Sequence, residues 1–393
     1  MAPALPLRVG LFAGEASGDT LGADLIEALR RLVPEAQFFG VAGPKMQAAG
    51  CVSWEPAESF ALMGLFEVLA HLPRLLRLLS RITRMFLSER PDVFVGIDAQ
   101  EASAYIAKRL HAAGIPTVQY VSPQVWAWRQ GRARSIGARM DLILCLLPFE
   151  KRVYDEHGVR AEFVGHPLAD AIPLQVDRAA ARAELGLQQD ASVVALLPGS
   201  RRGEVTRLAA DIAATARSMQ AKRPGLVFIA ALANRATREI FAATLASAAP
   251  EVEVRMFEAQ AQKVLIAADV VLTASGTATL ETALCKRPMV VIYRAGAFTA
   301  WIVRHTNLIK AKYFSQPNLL ADRRLVGEYF QDDIVPESIG AELLMWLDNA
   351  ERRSELQQSF EQIHAELRRN AGSRAALAIM SLLAQRRGTA AAS

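Results

Sequence analysis

Cysteine is scarce. Cys51, Cys145 and Cys285 stand far apart, and their odd number and spacing fit neither a disulfide framework nor a zinc site. Metal signatures are missing as well. The six histidines are scattered, and no Asp-x-Asp, HExxH or paired-Cys motif occurs, so neither a metal nor a cofactor is expected. There is no P-loop GxxxxGK[ST], no GxGxxG and no GxSxG elbow, which leaves nucleophilic serine catalysis without support. No run of about 18 uncharged apolar residues exists, so nothing is expected to span a bilayer. The N-terminal MAPALPLRVGLFAGEASGD lacks a basic n-region, and Glu15 cuts its apolar run. It reads as a first strand rather than a signal peptide, and the chain reads as cytoplasmic. Neither charge sign dominates: Lys+Arg 45 against Asp+Glu 40 gives +5. That excess fits an anionic ligand or a membrane surface and is too small to argue for nucleic acid. With 52% hydrophobic and 22% charged residues, disorder and low complexity are excluded.

What is present is alternation. The 393 residues are long enough for two domains. Apolar runs at Leu7–Phe12, Gln37–Val41, Val93–Ile97, Thr117–Val121 and Leu142–Cys145 are separated by helical patterns. After Pro167 the pattern restarts, with Ser192–Leu197, Leu226–Ala231, Glu253–Met256, Val270–Thr273 and Met289–Tyr293. Strands apolar on both faces and separated by helices indicate parallel sheets covered on both sides. The expected fold class is therefore α/β, with two Rossmann-like doubly wound domains and a helical C-terminal tail. The expected boundaries are 1–168 for the first domain, 169–190 for a linker, 191–335 for the second domain and 336–393 for the tail. The tail, rich in Ala, Leu, Glu and Arg, is expected either to cross to the first domain or to be exchanged in a dimer.

Ligands of open α/β sheets bind at the carboxyl ends of strands, which singles out four loops. Ala13–Asp19 joins the first strand to a helix. Its glycines permit close backbone approach, and Glu15, Ser17, Gly18 and Asp19 are candidate contacts; Ser17 or Asp19 could equally serve as the helix cap. Asp98 ends the apolar strand Val93–Ile97. A carboxylate there is either a general base or the cap of the next helix. The loop Leu197–Glu204 carries Gly199 and Ser200, whose amides suit a phosphate, and Arg201, whose fork suits one too. Two arginines at a helix start oppose the macrodipole, which points to a bound anion. Ser275, Gly276 and Thr277 form a second cradle, and Glu281 about one turn on could meet ribose hydroxyls or merely balance the dipole. Two cradles and a carboxylate in one domain point to a nucleoside diphosphate.

The segment Met63–Leu87 is amphipathic. Leu65, Leu69, Leu72, Leu76 and Leu79 recur at helical spacing, and Arg74, Arg77, Arg81 and Arg84 share another face. Met63 and Phe66 widen the apolar surface, and Pro73 is expected to kink the segment or start a second helix. This pattern fits either a sheet-covering helix or a membrane- or acyl-binding one.

Together the motifs resemble one family, lipid-A-disaccharide synthase. They are AGEASGDTLGADL (Ala13–Leu25), GVAGPKMQAAG (Gly40–Gly50), MGLFEVL (Met63–Leu69), VGIDA (Val95–Ala99), YVSPQVWAWR (Tyr120–Arg129), FVGHPL (Phe163–Leu168), LLPGSRRGEV (Leu196–Val205), SGTATLE (Ser275–Glu281) and PNLLADR (Pro317–Arg323). The resemblance spans nearly the whole chain. It implies an inverting glycosyltransferase of type B (GT-B) architecture acting in lipopolysaccharide synthesis. The implied donor is UDP-2,3-diacylglucosamine and the implied acceptor 2,3-diacylglucosamine 1-phosphate. The implied product is a β(1→6) disaccharide 1-phosphate, with UDP released. By the same resemblance Asp98 is the base, Arg201 contacts UDP, and Glu281 and Asn318 lie at the donor site. The inner-membrane surface is implied as a peripheral partner, and a homodimer is compatible. The family's aspartate loop commonly continues Ala-Pro-Asp-Phe, whereas this chain reads Ala99-Gln100-Glu101-Ala102-Ser103, so Glu101 receives no role. Trp126 and Trp128 match the family but also suit packed aromatics, and His166 suits a hinge or a ligand. The rival readings are a UDP-N-acetylglucosamine 2-epimerase or another UDP-sugar enzyme on the same scaffold, and a non-catalytic two-lobed ligand-binding protein.

Overall fold

The computed structural model describes residues 6–60, 65–123, 132–296 and 312–391. The chain divides into two compact units, Met1–Asp170 with Leu367–Ser393, and Ala171–Glu366.

The first unit is built on seven parallel strands: β1 (Arg8–Ala13), β2 (Gln37–Ala42), β3 (Cys51–Pro56), β4 (Val93–Ile97), β5 (Thr117–Tyr120), β6 (Leu142–Cys145) and β7 (Ala161–Phe163). Their order is β3-β2-β1-β4-β5-β6-β7. The second unit holds six: β8 (Val193–Leu197), β9 (Val227–Leu232), β10 (Val254–Glu258), β11 (Val270–Ala274), β12 (Met289–Tyr293) and β13 (Gly327–Phe330). They lie in the order β10-β9-β8-β11-β12-β13, again all parallel. Central strands β4, β8 and β11 are buried at every residue, as sheets covered on both faces require.

Three strands escaped the sequence reading, and all are edges. β3, β7 and β13 carry Glu55, Glu162 and Glu328 and are only partly buried. A strand with one neighbour has an exposed side, so it loses the continuous apolar run that marks an interior strand.

The expected linker is not one. Residues 169–190 include the helix Arg178–Glu184, whose Arg182 is fully buried. Arg182 donates to the carbonyls of Ala267 (2.9 Å), Gln189 (2.7 Å) and Ala191 (2.9 Å) and pairs with Asp269 at 2.9 Å. A guanidinium with that many fixed acceptors ties the segment into the second unit. The tail also divides. Pro336–Asp348 and nearly all of Ala350–Leu367 belong to the second unit. The last helix, Ala371–Ala391, belongs to the first, where Ala375, Ile379 and Leu382 join the core formed by β1, β4 and the helix Ala16–Leu32. Its first turn is capped by Asp170, which accepts from the amides of Asn370 (2.8 Å) and Ala371 (2.6 Å).

His166 is buried, and its Nδ1 accepts from the amide of Leu168 at 3.2 Å. Burial lowers its pKa to about 4, which keeps that nitrogen an acceptor at neutral pH. No second helix begins at Pro73. One helix runs Leu65–Glu89 with Pro73 inside it, which costs a single i→i−4 bond. Leu79, Ile82 and Phe86 of this helix enter the core beside β4, so its C-terminal half is a sheet-covering helix.

Candidate functional site

In each sheet the direction of winding reverses at one strand pair, β1/β4 in the first and β8/β11 in the second. Loops leaving the carboxyl ends of such a pair diverge, and ligands bind there.

Ala13 at the end of β1 pairs with Ile97 at the end of β4, so the two following loops start side by side. A Cβ added to Gly18 would lie 3.1 Å from the carbonyl oxygen of Ile97 and 3.5 Å from the Cβ of Asp98. The absent side chain is what lets the first helix approach Asp98. Ser17 then donates its hydroxyl to Asp98 Oδ2 at 2.8 Å. Asp98 and Ala99 are both left-handed (φ 54° and 37°), a conformation that costs a non-glycine residue roughly 1–3 kcal/mol and concentrates at functional sites. The alternative role as a cap is not taken. The helix Gln100–Ala112 has Ala99 at its N-cap and no side-chain cap bond. Asp98 is thus aimed at the loop of the first strand rather than at its own helix.

The acceptor-side candidates separate. Glu15 and Ser17 are exposed, with Glu15 at the N-cap of the helix Ala16–Leu32, so neither Ser17 nor Asp19 caps it. Gly18 is buried against Asp98. Asp19 needs correction as a contact residue. It is buried, and its oxygens accept from the amides of Lys45 (2.9 Å) and Met46 (3.0 Å), capping the short helix Pro44–Ala48. Glu101 sits exposed in the first turn of Gln100–Ala112, where its charge complements the helix dipole.

In the second unit Thr273 pairs with Leu197, placing the loops after β8 and β11 together. Gly199 is left-handed (φ 116°). Glu204, which the sequence reading passed over, accepts from the amides of Ser200 (3.2 Å) and Arg201 (3.3 Å) through Oε2. Of the two amides expected to face a phosphate, Gly199 and Ser200, that of Ser200 is held by a carboxylate of the same chain. The signal was there in an acidic residue three positions after the cap, the capping-box spacing. Arg201 is different. Its side chain is 78% exposed, with a 3.4 Å contact to Glu204.

On the second cradle Ser275 hydrogen-bonds the carbonyl of Phe314 through Oγ (3.1 Å). Gly276 caps the helix Thr277–Leu284 with φ 143°, and both Gly276 and Thr277 are exposed. Among the described residues a Cβ added to Gly276 would meet nothing within 4 Å. Glu281 is partly buried on that helix, and desolvation pushes its carboxyl above the ordinary glutamate range.

Asn318 also needs correction. It is fully buried; Nδ2 donates to the Val326 carbonyl (3.0 Å) and Glu328 Oε1 (2.9 Å), and Oδ1 accepts from the amides of Leu325 (2.7 Å) and Val326 (3.0 Å). Its amide is consumed in pinning the turn before β13. Asn318→Ala should therefore lower the stability of the second unit by about 2–4 kcal/mol, from buried partners left unpaired. Thermal unfolding reads this out, and a variant as stable as wild type would return Asn318 to the candidate contacts.

Leu76 is 42% exposed on the helix Leu65–Glu89, with Arg74 and Arg77 exposed beside it. Met63, and the side chains of Leu65, Phe66, Leu69 and Leu72, lie outside the described residues, as do Trp126 and Trp128. Among the described residues no helix is long and apolar enough to cross a membrane, and no group of three His, Cys, Asp or Glu could hold a metal.

Residues 9–380 match the family model for lipid-A-disaccharide synthetase. The chain is 50% identical over 377 residues to a lipid-A-disaccharide synthase of Alkalilimnicola ehrlichii, covering 95% of this chain and 98% of that one. It is 48% identical over 377 residues to the enzyme of the same name from Serratia proteamaculans, covering 96% and 98%. Among solved structures, UDP-GlcNAc 2-epimerase from Neisseria meningitidis bound to UDP-GlcNAc superposes with a TM-score of 0.61 at 12% identity, covering 96% of this chain and 100% of that one. The calicheamicin glycosyltransferase gives 0.58 at 16%, covering 97% and 99%. These two likenesses concern the fold, which is that of GT-B enzymes.

Proposed function

The chain belongs to the lipid-A-disaccharide synthase family, and on that premise we propose that it joins UDP-2,3-diacylglucosamine to 2,3-diacylglucosamine 1-phosphate by direct, inverting, metal-independent displacement. It is a glycosyltransferase of lipid A synthesis. Membership of a synthase family sets aside a non-catalytic binding protein. The likeness to an epimerase carries the scaffold only.

The observation that carries the mechanism is the Asp98 carboxylate, delivered by a strained backbone to the carboxyl end of β4 and fixed by the Ser17 hydroxyl. Asp98 takes the proton of the acceptor 6-hydroxyl. That oxygen bonds to the anomeric carbon, the bond from this carbon to the diphosphate oxygen breaks, and UDP departs with the electron pair. Inversion follows from attack opposite the leaving group. General-base help of this kind is worth about 10²–10⁴ in rate.

The leaving diphosphate gains charge as its bond breaks. Arg201, exposed at the start of the helix Arg202–Lys222, supplies a fork of donors, and the exposed Gly276–Thr277 supplies amides at a helix N-terminus. Glu281, the second-turn carboxylate, is the partner for ribose hydroxyls. Charge neutralised by arginine and helix ends needs no cation. The reaction should therefore survive EDTA.

Both substrates carry acyl chains, so the enzyme works at a lipid surface. The exposed Leu76 between Arg74 and Arg77 suits an anionic bilayer interface. Leu76→Asp combined with Arg77→Glu should weaken binding to anionic vesicles by at least about tenfold, given roughly 1 kcal/mol per basic residue near such a surface and the lost apolar contact. UDP affinity should not change. Vesicle binding equal to wild type would leave the helix as sheet cover alone.

A further inference from the structure

Asp98 and Ala99 are not the only strained residues at this edge. Val121, one residue past the end of β5, has φ 78°, which is costly for a β-branched side chain. Three left-handed non-glycine residues on two adjacent strand ends need something that holds them, and the structure shows what does. Gln119 is buried within β5, with its carboxamide under both turns. Its Nε2 lies 3.2 Å from the Asp98 carbonyl, 3.3 Å from that of Tyr120 and 3.4 Å from that of Val121. Its Oε1 accepts from the hydroxyl of Ser103 at 2.8 Å, and Ser103 is itself fully buried on the helix Gln100–Ala112. The Asp98 amide in turn donates to the Tyr120 carbonyl at 3.0 Å. Room for this pair is made by Gly96, where an added Cβ would fall 1.5 Å from Ser103 Oγ.

We infer that Gln119, oriented by Ser103, is a positioning residue for the transfer reaction: it fixes the left-handed backbone at Asp98 so that the carboxylate faces the acceptor hydroxyl. The inference rests on the reading of Asp98 as the base. A carboxamide is suited to this task because it donates twice and accepts once at the same place, whereas an apolar side chain of similar length would fill the space and hold nothing.

Gln119→Met keeps the volume and removes the donors. The expected result is a fall in kcat of about 30-fold, with KM for both substrates within about threefold of wild type; that fall corresponds to roughly 2 kcal/mol of barrier. UDP affinity, which the second unit provides, should be unchanged, and unfolding should remain cooperative. Ser103→Ala alone should cost kcat about three- to tenfold, and in the Gln119→Met background it should add nothing further. A wild-type kcat in Gln119→Met overturns the inference. So does a loss carried by KM, a loss that matches the unfolded fraction, or a double variant in which the two losses multiply. Asp98→Asn separates the two claims. If it turns over at the wild-type rate, the base assignment falls and this inference with it. If it is inactive while Gln119→Met is normal, only the positioning role falls.

Discussion

Asp98→Asn lowers kcat by about 10²–10⁴ and leaves UDP affinity and KM close to wild type. The choice of asparagine matters. Position 98 has φ 54°, a region that Asp and Asn tolerate far better than most residues. Asparagine therefore keeps the backbone and can still meet the Ser17 hydroxyl through its amide oxygen. What it cannot do is take a proton. Alanine adds a backbone penalty of order 1 kcal/mol at the same site, so Asp98→Ala should be inactive and also less stable. Initial rates of UDP release at saturating substrates, with calorimetric titration of UDP, measure both variants. UDP affinity is the control because the groups assigned to the diphosphate lie on β8 and β11 loops of the second unit. If Asp98→Asn keeps a wild-type kcat, another group removes the proton.

Arg201→Ala cuts kcat/KM for the donor by about 10²–10³, the scale seen when one pre-organised donor to a developing negative charge is removed. Stability should hardly move. The side chain is 78% exposed and its 3.4 Å contact with Glu204 is an exposed ion pair, which contributes about 0–1 kcal/mol. Arg201→Lys should recover part of the loss, because it restores the charge without the bidentate fork. Glu204 sharpens the expectation. Its carboxylate already holds the Ser200 and Arg201 amides, so on this loop the Arg201 guanidinium and the Gly199 amide are the groups assigned to the donor. Steady-state kinetics with varied donor, together with UDP titration, decide the matter. Equal donor kinetics in wild type and Arg201→Ala would remove the residue from the site.

The interior strands were legible because a strand covered on both faces must be apolar throughout, and β4, β8 and β11 are. Edge strands β3, β7 and β13 escaped because their exposed sides admit glutamates and break the run. The candidate site was legible to the same depth. A lone carboxylate closing an apolar strand marked Asp98, but base and cap look alike in a sequence. Only the backbone separates them: the left-handed turn moves the helix start to Gln100 and turns the carboxylate toward Ser17. Asp19, read from the first loop, and Asn318, implied by the resemblance, are pins in the structure. Their partners, the amides at Lys45–Met46 and at Leu325–Val326, bond through the backbone, which a residue type does not reveal. Gln119 went unread inside the run Thr117–Val121, because its role depends on Ser103 and on three carbonyls at two strand ends.

The most direct measurement incubates the full chain with UDP-2,3-diacylglucosamine and 2,3-diacylglucosamine 1-phosphate in EDTA, and follows UDP and lipid products together by mass spectrometry, for wild type and Asp98→Asn. The account predicts equimolar UDP and a β(1→6)-linked disaccharide 1-phosphate from the wild type, and both formed at least about 100-fold more slowly by Asp98→Asn. UDP without disaccharide, turnover only after a divalent cation is added, or full turnover by Asp98→Asn would contradict it.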